Sequence, residues 1–164
     1  MKNLSIILLL LFMLSCSSNK IELRTLNDFE SKKYLGKWYE IARIDNSFEK
    51  NLTNVTAEYS LNSDGTIKVI NKGYHKTKNK EKTIEGKAKI IDKGLLKVYF
   101  IPFFGADYNV LYVDSNYEYA LVGGNKKNYL WILSRNDTLE DNIYDKLIQI
   151  ALERGYDVKL LQKF

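Results

Sequence analysis

Between Tyr34 and Arg135 the chain repeats one pattern, in which short segments of alternating apolar and polar residues are separated by turn sequences. The segment from Ile84 to Ile90 is typical, because its apolar residues alternate with glutamate and lysine. The sequence Asn62-Ser63-Asp64-Gly65 favours a hairpin turn between two such segments. About eight segments follow one another, and an antiparallel meander of that length keeps two exposed edges unless it closes. The sequence therefore predicts an all-β fold, an eight-stranded antiparallel up-and-down barrel.

The pattern changes once, after the last predicted strand. Over about residues 138–154 the apolar residues recur at helical spacing, which predicts one amphipathic helix. Thr138 can cap its start and Gly155 is well placed to end it. The apolar stripe consists of Leu139, Ile143, Leu147, Ile150 and Ala151. We expect this C-terminal helix to pack its stripe against the outside of the barrel.

The N-terminus has a different character from the rest of the chain. Lys2 precedes an apolar run from Ile6 to Leu14, which is well short of the roughly 20 residues that a membrane-spanning helix needs. Small residues and Cys16, the only cysteine, follow at once. This arrangement resembles the lipobox of bacterial lipoproteins, although Met13 stands where leucine is usual. We expect residues 1–15 to be a lipoprotein signal peptide, 16–28 a lipidated cysteine with its tether, and 29–164 the folded domain.

Charge and residue inventory exclude several classes of function. The 25 lysines and arginines exceed the 20 acidic residues, but they are scattered singly, so no nucleic-acid partner is expected. His75 is the only histidine and lies in a lysine-rich stretch. No nucleophile–base pair and no metal cluster can be assembled, so the sequence predicts no enzyme, no metal and no cofactor. Glu40 and Glu58 are the only acids near the barrel that an enzyme could use.

Three segments resemble the motifs of the lipocalin family, in the family's order and spacing. They are residues 34–43 with Gly36-Lys37-Trp38, residues 113–117, and residues 130–135. The resemblance covers about Phe29 to the C-terminus and implies a lipocalin barrel. It also implies structural roles for Gly36, Trp38, Asp114, Tyr117 and Arg135, with the arginine lying over the tryptophan ring at the closed end of the barrel.

Strand parity predicts which residues face the interior. If Arg135 points inward, every second residue of its strand does the same. The same alternation on other strands selects large aromatic side chains together with small ones, and few charges. The predicted ligand-binding residues are Ala57, Tyr59, Val69, Asn71, Gly86, Ala88, Val98, Phe100, Tyr108, Val110, Tyr112, Tyr129, Trp131 and Leu133. Such walls suit an apolar ligand with a polar end, unless the aromatics simply fill a packed core.

Together these features predict a lipid-anchored lipocalin that binds a fatty acid or lysophospholipid. We expect it in the bacterial cell envelope, held by its N-terminal lipid at the outer membrane and facing the periplasm. Two alternatives stay open: a plugged barrel that acts as an interaction protein, and a lipocalin-like enzyme acting on a lipophilic substrate. A homodimer is also open. Phe103 and Phe104, in a predicted loop at the barrel mouth, are expected to contact a membrane, form a lid or tuck inside.

Overall fold

Nine strands form one antiparallel sheet in the structure, a computed structural model that describes residues 26–164. The elements are α1 (Ser31–Tyr34), β1 (Gly36–Ile44), β2 (Leu52–Leu61), β3 (Ile67–His75), β4 (Lys80–Asp92), β5 (Leu95–Ile101), β6 (Phe104–Val113), β7 (Tyr119–Gly123), β8 (Leu130–Ser134), α2 (Asp141–Glu153), a 3-10 turn (Val158–Leu160) and β9 (Leu161–Lys163). The predicted signal peptide and the predicted lipidation site, Cys16, lie outside the described residues.

Strand β1 closes the sheet into a barrel because it has partners on both sides. It pairs with β2 through a register that sets Trp38 opposite Ala57, and with β8 through one that sets Arg43 opposite Trp131. Each remaining strand from β2 to β8 pairs with its neighbours in sequence. The predicted eight-stranded antiparallel up-and-down barrel is confirmed. The ninth strand, β9, adds to β1 beyond the end of the β1–β2 pairing.

Two apolar clusters hold the barrel, one inside it and one outside. The inner cluster includes Trp38, Val69, Ala88 and Val110, which are 0 to 2% exposed. The outer cluster lies between the barrel wall and α2, and its buried members include Leu147 from the helix. Because strand side chains alternate between the two faces, one strand supplies both clusters. The predicted packing of the helix on the outside is confirmed.

Helix α2 begins three residues later than the sequence predicts. Glu140, with extended backbone, precedes the first helical residue, so Thr138 lies two residues too early to cap the helix. At the other end Gly155 has a φ of +77° and its amide donates to the carbonyl of Leu152, which ends the helix as predicted. Within residues 26–164, no helix is long and apolar enough to cross a membrane.

Arg135 seals the end of the barrel at which β1 begins. Its guanidinium carbon lies 3.9 Å from the centre of the Trp38 ring, and Trp38 Nε1 donates to the carbonyl of Tyr34. Gly36 has a φ of +94°, and a Cβ there would lie 3.3 Å from Arg135 Nη1, so glycine suits the position. The guanidinium also donates to backbone carbonyl oxygens of two segments, those of Lys33, Leu35, Lys37 and Tyr117.

The turn between β6 and β7 is ordered by Asp114 and packed down by Tyr117. The Asp114 carboxylate accepts hydrogen bonds from three backbone amides of the turn, those of Asn116, Glu118 and Tyr119. Tyr117 is 6% exposed, and its hydroxyl accepts a hydrogen bond of 2.7 Å from the amide of Glu30. Through Tyr117 the turn therefore reaches both the N-terminal segment and Arg135.

Replacing Arg135 with alanine should lower the free energy of unfolding by about 2–3 kcal/mol, because several charge-assisted hydrogen bonds and a cation–π contact are lost together. Arg135→Lys should lose less than Arg135→Ala but should still be less stable than the wild type. A lysine ammonium keeps the charge but cannot match the planar set of donors of the guanidinium. Urea unfolding measures both. Arg154→Ala is the matched control, because within the described residues the Arg154 side chain makes no hydrogen bond. Equal losses for Arg135→Ala and Arg154→Ala would contradict the proposed seal.

Candidate ligand-binding site

The half of the barrel away from Arg135 encloses a cavity of about 320 Å³, which falls in the range of small-molecule pockets. Its walls are mostly apolar, and it opens among the loops that connect β1 to β2, β3 to β4 and β5 to β6. The lining residues are Glu40, Phe48, Glu49, Leu52, Val55, Ala57, Tyr59, Val69, Asn71, Lys72, Gly73, Lys82, Ile84, Val98, Phe100, Ile101, Phe104, Ala106, Asp107, Tyr108, Trp131 and Leu133. The barrel is thus packed at one end and hollow at the other.

The structure brings most of the predicted ligand-binding residues together around this cavity. Those that line it are Ala57, Tyr59, Val69, Asn71, Val98, Phe100, Tyr108, Trp131 and Leu133. All of them except Phe100 have regular pairing on at least one side, where the alternation of side chains predicts direction correctly. Phe100 lies at a register shift between β5 and β6 and still faces the cavity.

Tyr112 was predicted to face the interior, and the structure corrects this. The β6–β7 register shifts between Val110 and Tyr112, so Leu111 is an extra residue and the two residues after Val110 point outward. The Tyr112 ring stacks on Tyr119 outside the barrel, and its hydroxyl accepts a hydrogen bond from Lys146 of α2. A β-bulge reverses the parity of every residue beyond it, which the period of two cannot reveal.

Four other predicted residues lie close to the cavity without lining it. Ala88 and Val110 are fully buried in the packed half of the barrel. Gly86 lies beneath Phe100, and a Cβ there would come within 2.6 Å of the ring, so the glycine makes room for the phenylalanine. Tyr129 precedes β8 and stacks behind Trp131, with its ring on the side of Phe48. These positions support the wall rather than form its surface.

Sequence reasoning missed the parts of the site that come from loops. Phe48 and Glu49 lie between β1 and β2, where strand parity gives no direction. Ile101 and Phe104, the last residue of β5 and the first of β6, bound the mouth on either side of the turn between these strands, where a register shift interrupts the alternation. Glu40 lies two residues after Trp38 on β1, on the same inward face. Strand parity could therefore have predicted that Glu40 lines the cavity. Strand parity does select Val55 on β2 and Gly73 on β3 as inward-facing, and both line the cavity.

The mouth of the cavity exposes apolar side chains beside lysines. Phe103 is 96% exposed and Phe104 is 78% exposed, so neither is tucked into the barrel. Phe103 also has a φ of +69°, in the left-handed region that a non-glycine residue rarely adopts. Lys72 and Lys82 lie on the neighbouring strands β3 and β4 and are exposed. The entrance therefore combines apolar surface with positive charge.

One wall of the otherwise apolar cavity is polar. Arg43, 1% exposed, donates from Nη1 to Glu40 Oε1 at 2.5 Å and from Nη2 to the carbonyls of Glu49 and Leu52. Glu49 Oε2 in turn accepts from Trp131 Nε1 at 2.9 Å and from Asn46 at 2.6 Å. The network ties the β1–β2 loop to β8 and fixes the indole against the cavity.

Three tyrosine hydroxyls meet at the floor of the cavity. The Tyr108 oxygen lies 2.7 Å from that of Tyr34 and 3.0 Å from that of Tyr59. Burial raises the pKa of Tyr59 to about 12, so it stays protonated at physiological pH. The three hydroxyls form two hydrogen bonds with one another, so one of their three protons is not used within the cluster.

Of the acids considered for catalysis, only Glu40 lines the cavity, because Glu58 is exposed on the outside. Burial, and secondarily the negative charge of Glu49, raise the pKa of Glu40 to about 8, and Arg43 offsets this only in part. His75 lies at the end of β3 and is not part of the cavity wall. Glu40 is therefore the one catalytic candidate among the described residues that lines the cavity, and it is also the one with a raised pKa.

The raised pKa of Glu40 leads to a prediction about how the stability of the fold depends on pH. Between its usual value of 4.5 and its folded value of about 8, the folded protein keeps a proton that the unfolded chain has released, so Glu40 makes stability fall as pH rises through this window. Glu40→Gln should remove this contribution and flatten the pH dependence of the free energy of unfolding. Exposed Glu58→Gln should leave the dependence unchanged. A Glu40→Gln profile parallel to the wild type across the window would refute the altered pKa.

Comparisons with known proteins agree with this geometry. A family model for the lipocalin-like domain matches residues 29–164. Outer membrane lipoprotein Blc of Vibrio cholerae is 44% identical over 98% of this chain and 96% of that protein, and the Escherichia coli K12 protein of the same name is 46% identical over 80% and 76%. The cockroach allergen Per a 4 shares the fold, with a TM-score of 0.70 at 21% identity over 89% of this chain and 94% of that chain. The chain belongs to the lipocalin family.

Proposed function

We propose that this lipocalin is a lipid-anchored carrier in the bacterial envelope that binds a small hydrophobic amphiphile, a fatty acid or a lysophospholipid. The observation that carries the proposal is the apolar cavity, closed at one end by Arg135 and Trp38 and open at the other among exposed lysines. An acyl chain would gain about 25 cal/mol for each Å² of apolar surface that it buries there, less the cost of ordering the ligand. A polar end would stay near the mouth.

The size of the cavity favours a ligand with a single chain. At about 320 Å³ it lies at the lower end of the range for small-molecule pockets. Trp131 and Phe100 contribute flat apolar surface, and the Trp131 indole is fixed by its hydrogen bond to Glu49. A wall that is ordered before the ligand arrives loses little entropy on binding, which supports affinity. The hollow half of the barrel also weighs against the plugged-barrel alternative.

Cys16 and the named relatives support the proposed location. The relatives from Vibrio cholerae and Escherichia coli carry the name outer membrane lipoprotein. In this chain Cys16 follows an apolar run and is the only thiol, so a lipid attached there would hold the domain at the membrane. We propose that the domain faces the periplasm from the outer membrane. We also propose that it turns over no substrate, since lipocalins are generally binding and transport proteins.

Ligand binding is testable on the soluble domain, from about Asn19 onward, which lacks the proposed anchor and can be purified from cells without detergent. Native mass spectrometry is expected to find a co-purified lipid, and a lysophospholipid titration is expected to quench tryptophan fluorescence to saturation at one ligand per barrel. Trp131 should report the ligand because it lines the cavity, whereas Trp38 is 0% exposed at the closed end. Trp131→Ala should lose the fluorescence signal and weaken binding about tenfold through lost apolar contact.

The control for this titration is Tyr39→Ala, which removes an aromatic ring from the outer face of β1, where it lies beside Lys37. Binding should be retained in this variant. An empty protein with flat fluorescence across fatty acids and lysophospholipids would refute the carrier proposal and favour an interaction protein. Conversion of a lipophilic substrate that is lost in Glu40→Gln, with ligand uptake intact, would instead favour the enzyme alternative.

The anchor is testable by metabolic labelling with an alkyne-tagged fatty acid. The wild-type protein should carry the label, and Cys16→Ser should carry none, because no other cysteine is available for the thioether. Ser17→Ala is the matched control and should keep the label. Label that persists in Cys16→Ser would place the acylation elsewhere, and an unlabelled wild type would refute the lipoprotein interpretation.

A further inference from the structure

The turn between β5 and β6 projects apolar side chains from the mouth of the barrel. Residues 101–104, here called the apolar tip, are exposed one after another, and Ile101 is 62% exposed. Ile101, Phe103 and Phe104 belong to neither the inner nor the outer cluster of the described barrel. Apolar side chains scattered singly are ordinary on a protein surface, whereas a group of them at one edge favours an interaction site.

The apolar tip can enter an apolar environment at little electrostatic cost. No charged residue occurs from Ile101 to Ala106. The first charge that follows, that of Asp107, is paired with Lys97 at 2.7 Å. Ile101 and Phe104 pair with each other across the turn, so the backbone beside the tip takes part in the sheet. Burying the tip would therefore leave few polar groups without a partner.

Lysines occupy the other loops at this end of the barrel, which connect β1 to β2, β3 to β4 and β7 to β8. These loops carry five lysines and two acids, and one of the acids, Glu49, is buried. The lysines are Lys50, Lys76, Lys78, Lys126 and Lys127, and the exposed acid is Asp45. Where β4 begins, Lys80 and Lys82 are exposed on either side of Glu81. The mouth of the cavity therefore lies in a region of positive charge.

Within residues 26–164, the opposite end of the barrel shows no such surplus of lysine. The loops that connect β2 to β3, β4 to β5 and β6 to β7 carry the acids Asp64, Asp114 and Glu118 and a single lysine, Lys93. In the N-terminal segment 26–35 two lysines balance two acids. Positive charge is thus concentrated at the end that holds the cavity, and a negatively charged surface would orient the molecule with that end toward it.

We propose that the mouth end of the barrel is a docking surface for an anionic phospholipid bilayer, in which the apolar tip enters the interface and the lysines of the neighbouring loops lie among the headgroups. An anionic leaflet supplies both partners that this surface lacks, negative charge at the headgroups and an apolar layer beneath them. The inference goes beyond the proposed carrier function, because the surface lies outside the cavity and does not depend on what the cavity binds.

The distribution of charge favours a bilayer over a second copy of this chain as the occupant. Two barrels that met mouth to mouth would bring the lysines of one copy toward those of the other, and like charges brought together across an interface repel. An anionic bilayer attracts the same lysines, each by about 1 kcal/mol near the surface. The apolar tip and the lysines are therefore satisfied together by a bilayer.

Co-sedimentation with vesicles tests the docking surface on the chain from residue 16 onward with Cys16→Ser, so that no acyl group contributes to binding. Vesicles of phosphatidylcholine alone are compared with vesicles of phosphatidylcholine and phosphatidylglycerol in equal parts. The protein should bind the anionic vesicles more than about tenfold more tightly, because several lysines lie near the surface. The difference should shrink as sodium chloride is raised, since salt screens these charges.

Substitutions at the two ends of the barrel locate the contact. Phe103→Ala and Phe104→Ala should each weaken binding to anionic vesicles about fivefold, because each removes apolar surface that would enter the interface. Leu61→Ala is the matched control, since Leu61 is exposed at the opposite end, and it should bind as the wild type does. Lys78→Glu should weaken binding about tenfold at low salt, whereas Lys32→Glu, which changes an exposed lysine at the opposite end, should not.

A lysophospholipid titration of the same proteins separates docking from the carrier function. Phe103→Ala and Lys78→Glu should keep the affinity for lysophospholipid, because neither residue lines the cavity. Uptake of lysophospholipid by a protein that binds both kinds of vesicle equally, or neither, would overturn the docking surface and leave the carrier function standing. Vesicle binding without uptake would do the reverse.

Two further outcomes would also overturn the docking surface. A loss of vesicle binding in Leu61→Ala as large as that in Phe103→Ala would place the contact elsewhere on the barrel. Self-association that disappears in Phe103→Ala, together with no binding to vesicles, would assign the apolar tip to a second copy of the chain.

Discussion

Strand β1 is the element on which the rest of the structure depends. It bonds to β2 along its first half and to β8 along its second, so the ring of strands closes through its backbone. A bulge around Ile41 interrupts the alternation, which leaves Trp38, Glu40 and Arg43 all inside the barrel while Ile41 and Ala42 join the outer cluster. One nine-residue strand therefore supplies the seal of the closed end and the polar wall of the cavity.

The division of the barrel into a packed and a hollow half follows from where bulky residues cluster. The closed end holds a chain of aromatic rings packed at tilted angles, Trp38 on Tyr34, Tyr34 on Phe29 and Phe29 on Tyr117, and Arg135 covers the tryptophan. Toward the mouth, the wall includes small residues such as Ala57, Gly73 and Ala106. Packing interactions that stabilise the fold are thereby separated from the residues that would contact a ligand.

Much of this architecture was predictable because it depends on local patterns. The alternation of apolar and polar residues predicted the strands, and the resemblance to the family motifs predicted the contact between Trp38 and Arg135. The prediction failed where the backbone departs from regularity: Tyr112 faces outward beyond a bulge, and Glu49 enters the cavity from a loop. Ala88 and Val110 do point inward, but depth along the barrel decides whether an inward residue meets the cavity or the core. A period of two carries no information about depth.

The N-terminal segment joins the barrel at its sealed end. The amide of Leu26 bonds to the carbonyl of Lys93, and its side chain packs near Gly94 in the β4–β5 turn, at the opposite end from Phe103 and Phe104. If Cys16 carries the proposed lipid, the anchor is attached through the segment that enters the barrel at its sealed end. The cavity mouth then lies at the far end of the domain from the point of attachment, so the anchor and the ligand would occupy opposite ends of the barrel.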